Sequence, residues 1–448
     1  MGIFDRIFGN KDRMGQAGAT PNRAQQDHVS KRSGKSASNS SPFMEAKASS
    51  KRPLTNRPLY SRIGPGQAVT TPRRYDSLAE EGYRQNVIAF RAINLVAKGV
   101  ASIPLTLMRG DERVDEHPLL TLLARPNPRI KGVNFMANLV GFHQIAGNAY
   151  MLAVGPDGRP PKELWLLRPD TMNVLEGKNG IPSGFRQALA GRTQDFSPDH
   201  VLHWKTFNPL SDWYGMAPLD SAALAVDAHN EGSRWNLALI QNGGTPSGVL
   251  YQEDGETPLT DTQFENLKAQ VEEHYTGAMN AGRPLLLEGG LKWQDMGMSP
   301  KDMDWGSAKN MNAREIAVAF GVPPQMLGIP DSQTYSNYAE ARQSVWEETI
   351  IPLAEEIVCE LNGWLVPQFE GHDRLEAQKY DGQKYKGQNY GDQNSALKLK
   401  LDLDEIPALA HKRAAKFDRI NSADFLSVNE KRKALGLPPI EGGDGVAG

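Results

Sequence analysis

The sequence predicts an α+β fold, and three observations predict it. NAYMLAV, the turn GPDGRPP and then ELWLLRPD form a hairpin signature, two apolar runs around a Gly/Pro loop. From Ala217-Pro218 onward the pattern changes to long helices. Between two of those helices lies a small unit that alternates strand and helix signals, so the helical part is interrupted by an αβ insertion.

Residues 9–58 are rich in Ser, Gln, Asn, Lys and Arg without apolar periodicity and read as disordered, while Ile3, Phe4, Ile7 and Phe8 share one face of a short candidate docking helix. Order begins near Tyr75. Tyr83, Val87, Phe90, Ile93, Val96 and Val100 predict one helix. Pro104 to Arg109 follows as a strand, with a turn at Gly110-Asp111. His117-Pro118 opens the short helix LLTLLA, closed by ARPNP, and Gly132 to Ala146 is a further helix. The hairpin and more short strands run to DHVLHW (199–204), so residues 75–215 form a mixed α+β domain.

Pro218 is preorganised for a first helical turn. The Ala-rich helix it opens runs to Gln241, where Asn242-Gly243-Gly244 stops it. In the insertion, SGVLY is a strand. Thr260 to Gln263 fits a capping box before a helix bearing Phe264, Leu267, Val271 and Tyr275, and RPLLLEGGLKWQDM reads strand, turn, strand. Ser299-Pro300 starts the next helix. It breaks at Gly321-Val322-Pro323-Pro324, where Gly takes the cap and Pro cannot continue the ladder. A polar excursion follows, and a long helix resumes near Ser336. Its stripe of Tyr338, Val345, Trp346, Ile350, Leu353, Ile357, Leu361 and Leu365 is buried and kinked at Pro352. The Gln/Tyr/Lys near-repeat at 376–395 reads as a surface loop. A helix from Pro407 to Ile420 and a second capping box, Ser427 with Glu430, precede a stop at Gly436-Leu437-Pro438-Pro439.

Composition narrows the function. The net charge of −3 hides an asymmetry: residues 1–60 carry eleven Lys/Arg against four Asp/Glu, leaving 39 against 49 for the rest. A basic tail thus precedes an acidic body, the reverse of a folded domain that grips nucleic acid. The single cysteine, Cys359, excludes an intrachain disulfide and any CxxC site, and its place in an apolar stripe reads as an inert core thiol. No apolar run approaches the ~20 residues that span a bilayer. NGGTPSG and LEGGL lack the lysine and spacing of a phosphate loop, and no GxSxG or HExxH occurs. Asp199, His200 and His203 suggest a metal cluster, but in a strand positions i and i+3 point to opposite faces, so structural histidines are expected. No catalytic residue, metal ligand or cofactor is expected.

The ordered series HPLLTLLARPNP (117–128), AGNAYMLAV (146–154), LLRPDTMNV (166–174), DHVLHW (199–204), YGMAPLDSA (214–222), NGGTPSGVL (242–250), GRPLLLEGGLKW (282–293), REIAVAFGVPPQMLG (314–328), TYSNYAEAR (334–342) and SVNEKRKALGLPPIEGGD (427–444) resembles the portal protein family of tailed bacteriophages. The basic tail and the 376–395 segment depart from the family pattern. The resemblance implies a portal fold in a homo-oligomeric ring, typically of twelve subunits, at one capsid vertex, with a channel for packaging and ejecting double-stranded DNA. It implies a basic tail at 1–60, a wing at 61–215, stem helices at 216–242 and 299–320, a clip at 243–298, a tunnel loop at 321–336, a further wing segment at 337–395 and a crown at 396–448. Implied partners are the terminase large subunit, a head–tail adaptor, and major capsid and scaffold proteins, in a virion assembled in the bacterial cytoplasm.

On that basis Gly321, Val322, Pro323, Pro324, Gln325, Gln333 and Ser336 are the tunnel-loop residues. Lys309 and Arg314 are candidate channel-facing DNA contacts, and Met303, Trp305 and Met311 are candidate intersubunit contacts. An acidic conduit suits sliding DNA, because many Lys/Arg–phosphate contacts would hold it in place. The alternative reading is a DNA-binding structural adaptor of low oligomeric order that acts through its basic tail.

Overall fold

Asn86 splits what the apolar spacing reads as one helix. In the computed structural model, α1 (Tyr75–Leu78) runs into a π-helical segment at Ala79–Arg84, and α2 (Val87–Ala101) begins afresh after Asn86. The Asn86 carboxamide oxygen accepts from the amides of Ile88 at 3.1 Å and Ala89 at 3.0 Å, satisfying two orphan donors of the new helix. Tyr83 therefore lies outside α2. Val87 and Phe90 face solvent, while Ala89, Ile93, Val96 and Val100 form the buried face. The structure describes residues 70–445 except 111, 157, 242–247, 253–259, 261, 264, 270–290, 296–303, 330–334, 371–395 and 438. Of the chain's two units, residues 1–69 and 70–448, all described residues belong to the second.

Strands β1 (Leu105–Arg109) and β2 (Glu112–Val114) pair across Gly110, whose φ of 64° suits a residue without Cβ. Helix α3 (Pro118–Ala124) is capped by His117, whose Nδ1 accepts from the Leu119 amide at 3.1 Å. Helix α4 (Gly132–Ala146) ends at Gly147, φ 67°.

β3 (Asn148–Val154) is the central strand of a sheet with β4 (Glu163–Leu167) and β8 (Val201–Lys205) on its flanks, both antiparallel. After Asn148 it is apolar, because both its faces are covered. Ala149, Met151 and Ala153 join the main core with residues of α2 and α4. Tyr150 and Leu152 pack instead with Met172 and Phe185 of a second sheet, β5 (Met172–Glu176), β6 (Pro182–Leu189) and β7 (Arg192–Phe196).

Helices α5 (Pro218–Ser221) and α6 (Ala223–Gln241) form the predicted Ala-rich run, with a break at Ala222. β9 (Gly248–Gln252) and β10 (Leu291–Asp295) pair antiparallel in the insertion. The Thr260 capping box is made: the Gln263 side chain accepts from the Thr260 amide at 3.0 Å, and Thr260 Oγ1 from the Gln263 amide at 3.4 Å. Phe264, Val271, Tyr275 and the strand RPLLLE lie outside the described residues.

Helix α7 (Trp305–Ala319) is described from Trp305, after Asp304 in a left-handed conformation, while the expected start at Ser299-Pro300 lies outside the described residues. The long helix resumes as α8 (Tyr335–Val345), loosens into a π-helical segment at Trp346–Ile350, and continues as α9 (Ile351–Trp364). The regular ladder is thus interrupted just before Pro352. Pro352 sits in the first turn of α9, where its missing N–H costs little. Cys359 is exposed on α9, which corrects its reading as a core thiol.

One strand has no counterpart in the sequence reading. β11 (Leu397–Leu401) pairs antiparallel with β1, Leu399 opposite Leu107, so the segment after 396 begins inside the sheet of the first domain. β11 is an edge strand. The Asn362 amide donates to the Leu399 carbonyl at 3.0 Å and accepts from its N–H at 2.8 Å, closing the edge at that point. The chain continues through α10 (Ala410–Asn421) to α11 (Val428–Ala434), which carries the predicted Ser427/Glu430 capping box and stops at Gly436, φ 75°.

Candidate functional site

The helix break at Gly321 is a Schellman cap. The amide of Gly321 donates to Val318 O at 2.9 Å and that of Val322 to Ala317 O at 3.0 Å, with Gly321 at φ 62°. Val322 then drops into the core, 1% exposed. Thr349 Oγ1 donates to the Gly321 carbonyl at 2.7 Å and fastens the turn to the π-helical segment after α8.

The excursion is less polar than its composition suggested. Pro324–Leu327 forms a 3-10 turn closed by Gly328, φ 76°, and Ile329 is 3% exposed. Met326 and Leu327 pack on the main core, and Gln325 is half-buried. Residues 321–329 are therefore seated on the body of the protein, and Val322 serves as a core anchor. The polar half, residues 330–334 with Gln333, lies outside the described residues. Ser336 belongs to helix α8, because the helix resumes one residue before it.

Beneath this turn α6 meets the start of α2 through a buried polar network. The Asn86 amide donates to His229 Nδ1 at 3.2 Å and to Asn230 Oδ1 at 3.0 Å, and Asn230 Nδ2 donates to the Glu81 carbonyl at 2.9 Å. All three side chains are buried. The His229 acceptor role requires the tautomer with a bare Nδ1. Burial, and secondarily the charge of Lys309, holds its imidazole below the ordinary range and so neutral. The Glu81 carboxylate pairs with Arg234 at 2.6 Å, and Thr71 binds Asp227 through its amide at 2.7 Å and its hydroxyl at 2.5 Å. These contacts tie α6 to the residues before α2.

Lys309, expected over a channel, is half-buried and lines a recess of about 250 Å³ with His229, Asn230, Ser233 and Ile329. Arg314 is exposed on α7. Trp305, expected between subunits, stacks within the chain on Trp235, ring centroids 5.1 Å apart and planes 21° from parallel. Gly232 makes room for it: a Cβ there would lie 3.0 Å from the Trp305 ring. Met311 is 64% exposed on α7, and Met303 lies outside the described residues.

The histidines of DHVLHW have structural surroundings. His200 sits in a 3-10 turn. His203 stacks on Tyr150 at 4.3 Å and bonds Asn148 Oδ1 at 2.9 Å, and burial lowers its pKa to about 3. Among the described residues, no group of three or more His, Cys, Asp and Glu is placed to hold a metal ion. No described helix is long and apolar enough to cross a membrane.

The polar network was not expected from sequence, although two signals carry it. Asn86 directly precedes an apolar helical run, as an N-cap does, and His229-Asn230 interrupt an otherwise Ala-rich helix face.

Comparison with known proteins agrees with this architecture. The family model described as "Phage portal protein" matches residues 88–436. A Rickettsia bellii protein is 40% identical over 373 residues, spanning 82% of this chain and 90% of its own. The portal protein of Enterobacteria phage HK97 is 25% identical over 386 residues, covering 82% of each chain. Among solved structures, a chain in the neck of an empty gene transfer agent (GTA) particle, computed with C6 symmetry, superposes with a TM-score of 0.62 at 40% identity, covering 84% of this chain and 96% of that one. The neck of the native particle, computed with C12 symmetry, gives 0.60 at 39%, with 84% and 96% covered. On the match of that family model over most of its length, the chain belongs to the phage portal protein family.

Proposed function

We propose that copies of this chain close into a ring, of twelve subunits, at one vertex of a capsid, and that double-stranded DNA passes through the channel during packaging and ejection. The observation that carries this reading is the likeness, over 84% of the chain, to a subunit of GTA necks treated with sixfold and twelvefold symmetry. In this reading α6 and α7 form the stem. The insertion 243–298 is the clip that meets the terminase large subunit and later the head–tail adaptor. The segment 321–336 is the tunnel loop, held on the body at Val322 and Ile329, with its last two residues in α8, and it faces the channel. The residues of 396–448 that follow β11, from 402 onward, form the crown. The subunit acts by shape and charge and carries no catalytic step, and ATP hydrolysis belongs to the terminase. Capsid and scaffold proteins are its neighbours in the virion.

The excess of Lys/Arg in residues 1–60 favours a second reading, a low-order DNA-binding adaptor. Deleting residues 1–60 separates the two. The portal reading expects the truncated chain to keep its ring mass in native mass spectrometry. Loss of DNA affinity in a truncated chain that is monomeric both before and after the deletion would favour the adaptor.

A further inference from the structure

Two features of this chain stand open among the described residues, and they complement each other. The first is the loop between β8 and α5. Its residues Phe207 and Leu210 are 85% and 92% exposed, far more than scattered surface apolar residues need to be. The loop does not present them by default, because it is tied at nearly every residue. Thr206 Oγ1 donates to Met216 O at 2.6 Å, and the Asn208 amide donates to Tyr214 O at 2.9 Å. Asn208 Oδ1 accepts from the Leu210 amide at 2.9 Å, and Ser211 Oγ accepts from the amides of Trp213 and Tyr214, each at 3.2 Å. Gly215 donates to Asn148 Oδ1 at 2.8 Å, pinning the loop to the start of β3. A loop so preorganised has already lost the entropy that docking would otherwise cost.

The second feature is a groove of about 900 Å³ between α2 and α4. Ile93, Ala97, Ala137, Gly141 and Ile145 line it, and the small residues among them give it depth. A Cβ built on Gly141 meets nothing within 4 Å, so the space above that residue is open. Lys98, exposed, stands at the rim of the groove, and Asp212, also exposed, is the acidic residue of the loop.

We infer that Phe207 and Leu210 of one subunit seat in the α2/α4 groove of the next subunit in the ring, with Asp212 meeting Lys98. This rests on the ring reading above. Cyclic closure needs a heterologous contact, one patch on a subunit against a different patch on its neighbour. A rigid apolar projection and a largely apolar groove, open among the described residues and of opposite rim charge, carried by the same chain, are such a pair of patches.

The test uses two full-length variants, each altered at one side of the contact. Phe207→Ser/Leu210→Ser removes the projection and leaves the groove. Gly141→Trp fills the groove and leaves the projection. Both changes lie in solvent-facing space, so circular dichroism and thermal unfolding of the dilute chains should match wild type. Burying two large apolar side chains implies that each variant alone needs about a hundredfold or more higher concentration for half-assembly, read by sedimentation velocity. Mixed together, they retain one good contact per pair. Native mass spectrometry should show 1:1 pairs without closed rings, at concentrations where each alone is monomeric. Variants that assemble at the wild-type concentration, or a mixture that forms no pairs, overturn the inference. A wild-type chain that never assembles sinks the ring reading itself and this contact with it.

Discussion

Gly321→Ala measures how the helix break is built. The native φ of 62° is a left-handed conformation, which costs an L-residue about 1–2 kcal/mol. The added Cβ would also lie 2.5 Å from Thr349 Oγ1, too close for any real contact. The Thr349 side chain must turn away and give up its bond to the Gly321 carbonyl, about 0.5–1.5 kcal/mol more. The substitution should therefore lower stability by about 1.5–3.5 kcal/mol, read as a shift of the urea midpoint followed by tryptophan fluorescence on dilute monomer. Gly328→Ala is the control. Its φ of 76° carries the same conformational cost, but nothing lies within 4 Å of the new Cβ, so it should cost only about 1–2 kcal/mol. In a Thr349→Ala background the excess at Gly321 should vanish. Equal costs at the two glycines, or an excess that survives without Thr349, would refute the clash with the hydroxyl. A Gly321→Ala cost below about 0.5 kcal/mol would refute the left-handed cap altogether.

Other perturbations follow from the buried polar groups. His143 and His203 both have pKa values lowered to about 3 from 6.5, chiefly by burial, and the His143 ring nitrogens have no hydrogen-bond partner among the described residues. The unfolded chain takes up these protons below pH 6.5 while the folded chain does not until near pH 3. Stability is therefore fully present above 6.5 and falls as the pH drops through that window, by about 2 kcal/mol per histidine at pH 5. His143→Phe, which keeps a ring against Trp204, should remove its share of the slope in denaturation curves from pH 7 to 5. An unchanged slope would show that His143 is solvated. Asn86→Ala removes an N-cap and leaves His229 and Asn230 without their shared donor, so a loss of about 2–4 kcal/mol is expected. A loss under 1 kcal/mol would mean that water replaces the carboxamide.

What the sequence reveals and what it hides divide along the distance over which each feature is determined. The Gly321 stop, the Ser427/Glu430 box and the hairpin of β3 and β4 depend on residues within one or two turns of each other, and the structure has all three. β11 is a five-residue strand whose partner, β1, lies almost 300 residues earlier in the chain, so LKLKL alone does not announce it. The buried network joins residues 143 and 144 apart. The excursion after Gly321 looked polar because of Gln325 and the run Asp331-Ser332-Gln333-Thr334, yet Val322 and Ile329 hold its first half on the body. Trp305 looked spare on its own helix because its partner, Trp235, and the glycine that admits it, Gly232, belong to another.

Electron microscopy of the purified full-length chain at high concentration, viewed down the particle axis, tests the central claim most directly. The account predicts closed rings with a central channel wide enough for a DNA duplex. Compact monomers at every concentration, with or without scaffold and capsid proteins, would contradict it.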